Sequence, residues 1–432
     1  MNRLANTCRT TSNGWPAVWA VAVLASVGML VAGCGSPDAQ FKSNRAFIAK
    51  SLGEELAGEG SDDASEARAI RQGRIEQLDT VNAALAAMFG QPDDPFVVPD
   101  AELGVTDVID DALLPTAAGA VGRDENGYAR GLYRQHCVHC HGVTGDGDGP
   151  TAPLLKRYPR DFRMGKFKFK RTPLGAKPTD EDLHKVIYDG VAGTAMPSFK
   201  ALLAEDEIDA IINYVKYLSI RGEVERKLIT ELTFLEANEE VDVSKDMLVD
   251  TFLADVVAKW QQAEESATPV PAPSGSITDQ AAIERGKVLF QGKTANCFSC
   301  HGVTGLGDGQ LGDYDDWTKD FADWGNILDA DEKAEKLEQY IELTGLPPRN
   351  IQPRNLRQGV YRGGRRPVDL YWRIRNGIEG TPMPAAGMQQ SPGGPGLTED
   401  DIWDLIAYVK HLPYETISRP PEAVVENLRE NP

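Results

Sequence analysis

The sequence contains one unit twice, and each copy carries two cysteines three positions apart with a histidine directly after them. These residues are Cys137, Cys140 and His141 in the first copy and Cys297, Cys300 and His301 in the second. Residues 140–145 recur letter for letter as 300–305, and Gly-Thr-Ala-Met-Pro at 193–197 returns as Gly-Thr-Pro-Met-Pro at 380–384. Repetition in the same order predicts that both copies fold in the same way.

Each copy ends in a segment whose apolar residues follow helical spacing. The segments 203–218 and 397–412 can be aligned without a gap. Apolar side chains recur every three or four positions in both, at Ile208, Ile211, Ile212, Val215 and Leu218 and at Ile402, Leu405, Ile406, Val409 and Leu412. This spacing buries one face of a helix. We therefore predict an all-α fold in which a helix closes each copy.

The spacing Cys-x-x-Cys-His is the attachment signature of c-type haem. Two cysteines on one helical turn can both reach the porphyrin edge and form thioethers, while the adjacent histidine turns its imidazole to the iron. A zinc site would bring its cysteine pairs within roughly 15 to 20 residues of each other, whereas 157 positions separate Cys140 from Cys297. A thioredoxin-like thiol pair would need a strand and a helix around Cys137. The sequence predicts two covalently attached haems.

Each iron needs a second protein ligand, and we predict Met196 and Met383 opposite His141 and His301. Each methionine lies in the pattern Gly-Thr-x-Met-Pro. Glycine lets the backbone approach a ring closely, and proline stiffens the loop that presents the sulfur. The alternative is that both methionines fill gaps in a core. Coordination by His and Met raises the reduction potential, and it occupies both axial positions, which favours electron transfer over catalysis.

Two arginines, Arg160 and Arg354, occupy corresponding positions in the copies. Residues 156–171 include eight basic side chains and one acid, and residues 349–366 include six arginines and no acid. A haem carries two propionates, and the planar fork of arginine suits a carboxylate. Our hypothesis is that Arg160 and Arg354 contact propionates directly. The alternative is a solvated basic face that docks an acidic partner.

The N-terminus has the pattern of an export signal. Two arginines precede an uncharged run at 17–32, and Gly33-Cys34 follows. Small residues before a cysteine that closes an apolar stretch resemble the site at which bacterial lipoproteins are cleaved and acylated. We expect a signal peptide at 1–33, a lipid on Cys34, and an exported protein anchored to a bacterial membrane and facing the periplasm. The alternatives are an uncleaved anchor and ordinary cleavage.

Both copies resemble the class I cytochrome c family. The similarity lies in Arg130-Gly131 and Arg285-Gly286 before the cysteine motif, in the motif itself, in the Met-Pro loop and in a terminal helix of the Tyr-Val-Lys type. This resemblance implies two helical domains, each wrapped round one haem, with first and last helices that cross. The chain is also similar to subunits found beside quinol-oxidising complexes and haem-copper oxidases, which implies redox proteins as electron donor and acceptor.

The two copies divide the chain into predicted domains. The boundaries are 1–33 for the signal peptide, 34–122 for a helical N-terminal region, 123–220 for the first cytochrome domain, 221–276 for a helical and proline-rich linker, 277–415 for the second domain with an insertion at about 310–348, and 416–432 for a tail. The acidic insertion is expected on the surface, since the first copy does without it.

We expect a carrier or respiratory subunit that transfers electrons and is not an enzyme. The net charge of −20 makes nucleic acid an unfavourable partner. One alternative is a dihaem peroxidase, which would need an iron with an open sixth site. Another is a haem sensor or scaffold whose N-terminal helical region is the working part.

Overall fold

The computed structural model describes residues 39–58, 61–100, 102–314, 330–344 and 346–418. The predicted signal peptide, Cys34, part of the insertion and most of the tail lie outside the described residues. Among those described, no helix has both the length and the apolar character needed to cross a membrane.

The described chain is mostly helical, as predicted. Its α-helices are α1 Arg45–Ala57, α2 Ala64–Phe89, α3 Leu114–Ala117, α4 Leu132–His136, α5 Val138–His141, α6 Asp180–Asp189, α7 Glu205–Leu232, α8 Lys245–Met247, α9 Ala254–Gln261, α10 Gln280–Gln291, α11 Cys297–His301, α12 Ala330–Thr344, α13 Pro367–Arg375 and α14 Glu399–His411. A π-helix, Leu248–Leu253, joins α8 to α9. Single 3-10 turns lie at Val105–Asp107, Ala152–Leu154, Phe162–Met164, Leu356–Gln358, Leu412–Tyr414 and Thr416–Ser418. Two antiparallel pairs complete it: β1 Gly90–Gln91 with β2 Asp94–Pro95, and β3 Gly122–Arg123 with β4 Ala129–Arg130.

The helix that closes the first copy is longer than the sequence predicts. The apolar face at 208–218 is buried, as expected, but α7 continues to Leu232, so the predicted domain boundary at 220 falls inside it. Leu228 and Leu232 are fully buried in this extension. Buried Arg74 of α2 donates hydrogen bonds to the carbonyl oxygens of Leu232 and Leu235, each at 2.9 Å. The extension is therefore an integral part of the core.

The N-terminal helices pack on this same helix. Asp63 caps α2 by accepting hydrogen bonds from the amides of Ser65 and Glu66. At the other end of α2, Phe89 is fully buried, and its carbonyl oxygen accepts a hydrogen bond from Tyr217 of α7. Residues of α1, α2 and α3 all contact α7. One continuous hydrophobic core thus joins the N-terminal region to the first copy.

In the second copy, α10 and α14 cross at close range. A Cβ on Gly286 would lie only 1.9 Å from the carbonyl oxygen of Asp404, so glycine is what lets the two helices touch. Arg285 of α10 pairs with the Asp404 carboxylate at 2.7 Å. The core of this copy forms a second hydrophobic cluster.

The described part of the insertion is not simply a surface loop. Its residues 330–344 form α12, which contacts α1 near the N-terminus. Tyr340 of α12 is buried, while residues 331–335 are exposed. The insertion therefore packs one helical face, although its connecting residues 315–329 lie outside the described chain.

Candidate haem-binding sites

The two histidines are oriented by the same hydrogen bond. His141 Nδ1 lies 3.1 Å from the carbonyl oxygen of Arg160, and His301 Nδ1 lies 3.2 Å from that of Arg354. Because a carbonyl oxygen only accepts, Nδ1 carries the proton in each ring and the Nε2 lone pair is left for a metal. The arrangement suits a histidine that ligates iron.

The surroundings keep both imidazoles neutral. Burial lowers the pKa of His141 to about 4 and also lowers the pKa of His301. The His141 ring stacks on Phe162 with centroids 4.7 Å apart and planes 14° apart. In the second copy the residue at the position of Phe162 is Leu356. The aromatic ring near His301 is that of Phe290, and the two ring centroids are 6.4 Å apart. Neutral imidazole is the form that binds a metal.

Burial makes one thiol of each cysteine pair a weak acid. Cys137, Cys140, Cys297 and Cys300 are free, and no disulfide joins them. Burial raises the pKa of Cys137 to about 12 and that of Cys297 to about 11. Thiols used in disulfide exchange have a lowered pKa. This opposite shift argues against the thioredoxin-like alternative.

A glycine-rich turn packs against each cysteine helix. The amide of Gly147 donates to the carbonyl oxygen of His141 at 2.9 Å, and that of Gly307 donates to His301 at 2.8 Å. A Cβ on Gly149 would lie 2.5 Å from the Val138 carbonyl oxygen. The repeated Gly-x-Gly sequence is thus explained by close packing.

The methionine loops repeat the same hydrogen bonds. The Met196 amide donates to Thr194 Oγ1 at 3.1 Å, and that hydroxyl donates to the Val191 carbonyl oxygen at 2.8 Å. In the second copy the Met383 amide donates to Thr381 Oγ1 at 3.2 Å, and the hydroxyl donates to the Ile378 carbonyl oxygen at 2.7 Å. The threonine in the repeated pattern therefore shapes the loop. Sequence reasoning missed this role, although the recurrence of the threonine is visible there.

One cavity of about 830 Å³ connects both motifs. All ten residues predicted as haem-binding line it: Cys137, Cys140, His141, Arg160, Met196, Cys297, Cys300, His301, Arg354 and Met383. Ligand cavities typically have about 300–1,000 Å³. Two free thiols beside an imidazole with an available Nε2 form the donor set that c-type haem requires, so the residues fit this group.

Comparison with known proteins agrees with this geometry. A model of the family described as Cytochrome c matches residues 283–413, and one described as Cytochrome C oxidase, cbb3-type, subunit III matches residues 128–215. Cytochrome c55X of Paracoccus denitrificans is 37% identical over 89 residues, which are 20% of this chain and 67% of that protein. The chain belongs to the cytochrome c family. It is therefore a haem electron-transfer protein with covalently bound c-type haem.

A solved structure is also similar to part of this cytochrome. It is the reducing HAO-like protein complex of Kuenenia stuttgartiensis, with 24% identity and a TM-score of 0.40. The match covers 65% of this chain and 93% of that one. A TM-score of this size supports no conclusion about the cytochrome.

The cavity of the cytochrome is lined by more arginines than the sequence indicates. Arg157, Arg362 and Arg373 line it beside Arg160 and Arg354. Arg362 could have been predicted from the sequence, because it belongs to the arginine-rich stretch 349–366. Arg373 lies on α13, outside that stretch, and no sequence pattern indicates its role. Direct contact of Arg160 and Arg354 with propionates stays a prediction.

Proposed function

We propose that the protein is a dihaem c-type cytochrome that carries electrons and catalyses no reaction of its own. The observation that carries the proposal is the repeated geometry. In both copies a free thiol pair, a histidine held through Nδ1 and a threonine-shaped methionine loop face the same cavity. One haem would bind at each copy, in two tandem cytochrome domains.

Bound haem would supply one-electron redox chemistry at these positions. Cys137 and Cys140, and likewise Cys297 and Cys300, would form its thioethers. His141 and His301 would ligate iron through Nε2, and Met196 and Met383 would be its second protein ligands. Because each iron would then have two protein ligands besides the porphyrin, no position would remain for peroxide or oxygen, which is why we favour a carrier over a peroxidase.

We also propose export and a lipid anchor on Cys34, supported by the uncharged run at 17–32 and the small residues before the cysteine. The protein would then face the periplasm and exchange electrons with redox proteins at a bacterial membrane. A haem-copper oxidase is one such partner, supported by the match of residues 128–215 to an oxidase subunit model. A quinol-oxidising complex is the other.

A redox titration followed by optical spectroscopy tests the proposal. If both irons have a methionine ligand, the oxidised protein shows a sulfur-to-iron charge-transfer band for each haem, and each band disappears on reduction. Met196→His and Met383→His assign the bands to the two copies, because each variant should lose the band of one haem. A high-spin haem in the wild-type protein that turns over peroxide would overturn the carrier assignment in favour of a peroxidase.

A further inference from the structure

Arg354 belongs to the second copy but extends to the first. Its Nε donates to the Val360 carbonyl oxygen at 2.8 Å, which directs the side chain. A Cβ on Gly193 would lie 2.8 Å from Arg354 Nη2, so the guanidinium lies directly against the loop that presents Met196. The residue thus serves both copies, because its carbonyl orients His301 and its side chain contacts the other methionine loop.

Two further arginines of the second copy have buried nitrogens without a hydrogen-bond partner among the described residues. These atoms are Nε of Arg362 and Nε of Arg373. Arg373 is only 6% exposed, donates through Nη1 to the Lys170 carbonyl oxygen at 2.8 Å, and lies over the Phe169 ring of the first copy. Both arginines line the cavity that joins the motifs.

Three arginines of the second copy line this cavity, namely Arg354, Arg362 and Arg373. No carboxylate of a described residue pairs with Arg354, Arg362 or Arg373. A buried cation is costly unless an anion compensates it. Burial and the neighbouring Arg157 and Arg354 lower the pKa of Arg362 to about 10. Burial also lowers the pKa of Arg373 to about 10, and the nearby Asp182 and Asp369 offset only part of that effect.

A carboxylate is the anion that best suits these three arginines. Each haem brings two carboxylates, and guanidinium groups bind carboxylates with paired hydrogen bonds. A solvent anion such as phosphate has a similar chemistry. The haem carboxylates are favoured because the arginines line the same cavity as the cysteines and histidines that would hold the haems.

We propose that Arg354, Arg362 and Arg373 form one carboxylate-binding site shared by the haems of both copies, in which Arg354 acts on the haem of the first copy. This rests on the proposed function, since it needs a haem at each motif. The hypothesis from sequence, that Arg160 and Arg354 contact propionates, is thereby extended to a side chain that acts on the haem of the other copy.

The test measures the potential of each haem in Arg354→Gln. Removing a nearby positive charge stabilises oxidised iron, so the haem of the first copy should shift to lower potential by more than the haem of the second. Arg354→Lys should restore most of the shift, because it retains the charge. The Met196→His and Met383→His variants assign each potential to its copy.

Arg349→Gln is the matched control. Arg349 also crosses between the copies, where it hydrogen-bonds the Leu155 and Pro153 carbonyl oxygens and lies 4.4 Å from the Tyr158 ring centroid. It does not line the cavity, so its removal should leave both potentials unchanged. Arg362→Gln should lower both potentials, since the site is shared.

Several results would overturn the inference. One is a shift in Arg354→Gln confined to the haem of the second copy; another is two unchanged potentials in both Arg354→Gln and Arg362→Gln. Inorganic phosphate, added at constant ionic strength, separates the sources of the anion. If the wild-type potentials change with phosphate concentration and those of Arg362→Gln do not, the site binds a solvent anion and the inference is overturned. A wild-type protein with one haem would contradict the proposed function as well.

Discussion

The two copies of the repeated unit agree in the atoms that would hold haem and differ in what supports those atoms. The Nδ1 contacts of His141 and His301 differ by only 0.1 Å, and the two methionine loops share every hydrogen bond described for them. In contrast, the first copy closes with the 28-residue α7 and the second with the 13-residue α14. The geometry at the proposed ligands is thus the same in both copies, while the surrounding packing differs.

The candidate haem site of the first copy lies against a larger hydrophobic core than that of the second copy. The extended α7 is covered by α2, whose Leu85 and Phe89 are fully buried. His141 also has an aromatic neighbour that His301 lacks at the corresponding position. We therefore expect the two copies to bind haem alike but to respond differently to changes in packing.

The largest effect should come from removing one attachment site. Cys137→Ser with Cys140→Ser should abolish haem at the first copy, and Cys297→Ser with Cys300→Ser should do so at the second. Each double variant should keep half of the haem absorbance per chain, because the donors of the two sites do not overlap. Loss of all colour from either variant would show that the copies do not load independently.

Phe89→Ala should destabilise the first copy more than the second, because Phe89 packs in the core of the first copy only. A fully buried phenylalanine replaced by alanine costs about 3–5 kcal/mol, and here the loss falls on the core of the first copy. Urea unfolding followed at each haem should show an earlier transition of the first copy. Leu405→Ala, in the other core, is the matched control and should cost about 2–5 kcal/mol. Equal displacement of both transitions by Phe89→Ala would contradict two separate cores.

Gly286→Ala tests the close helix crossing of the second copy. The added methyl would meet the Asp404 carbonyl oxygen, and such overpacking costs about 1–3 kcal/mol. Gly53→Ala on α1 is the control, since nothing lies within 4 Å of its added Cβ. That change should stabilise the protein by about 0.5–1 kcal/mol through helix propensity. Thermal unfolding in which both variants behave alike would refute the crossing.

How much of this could be predicted depends on the range of the interactions. The cysteine motif, the methionine loop and the terminal apolar faces are local patterns, and their repetition makes them visible in the sequence alone. The extension of α7 beyond residue 220, its cover by α2 and the reach of Arg354 to Gly193 join residues far apart along the chain. Periodicity carries no information about such pairings, so only the folded arrangement reveals them.

Phe162→Leu should be the mildest of the destabilising changes, because it installs the residue type that the second copy uses. An aromatic pair contributes about 0.5–1.5 kcal/mol beyond its buried area, so we expect a loss of about 1 kcal/mol from the stability of the first copy. The reciprocal Leu356→Phe is a useful partner variant. If Phe162→Leu changed stability by less than the error of urea unfolding, the stacking with His141 would be incidental.

The most direct test of haem at both copies is an intact mass measured under denaturing conditions, on protein matured in a host equipped for cytochrome biogenesis. Thioether bonds survive denaturation, so we predict the mass of the mature chain plus two haems. A chain that sheds its pigment on denaturation, or that carries a single haem, would contradict a dihaem cytochrome c.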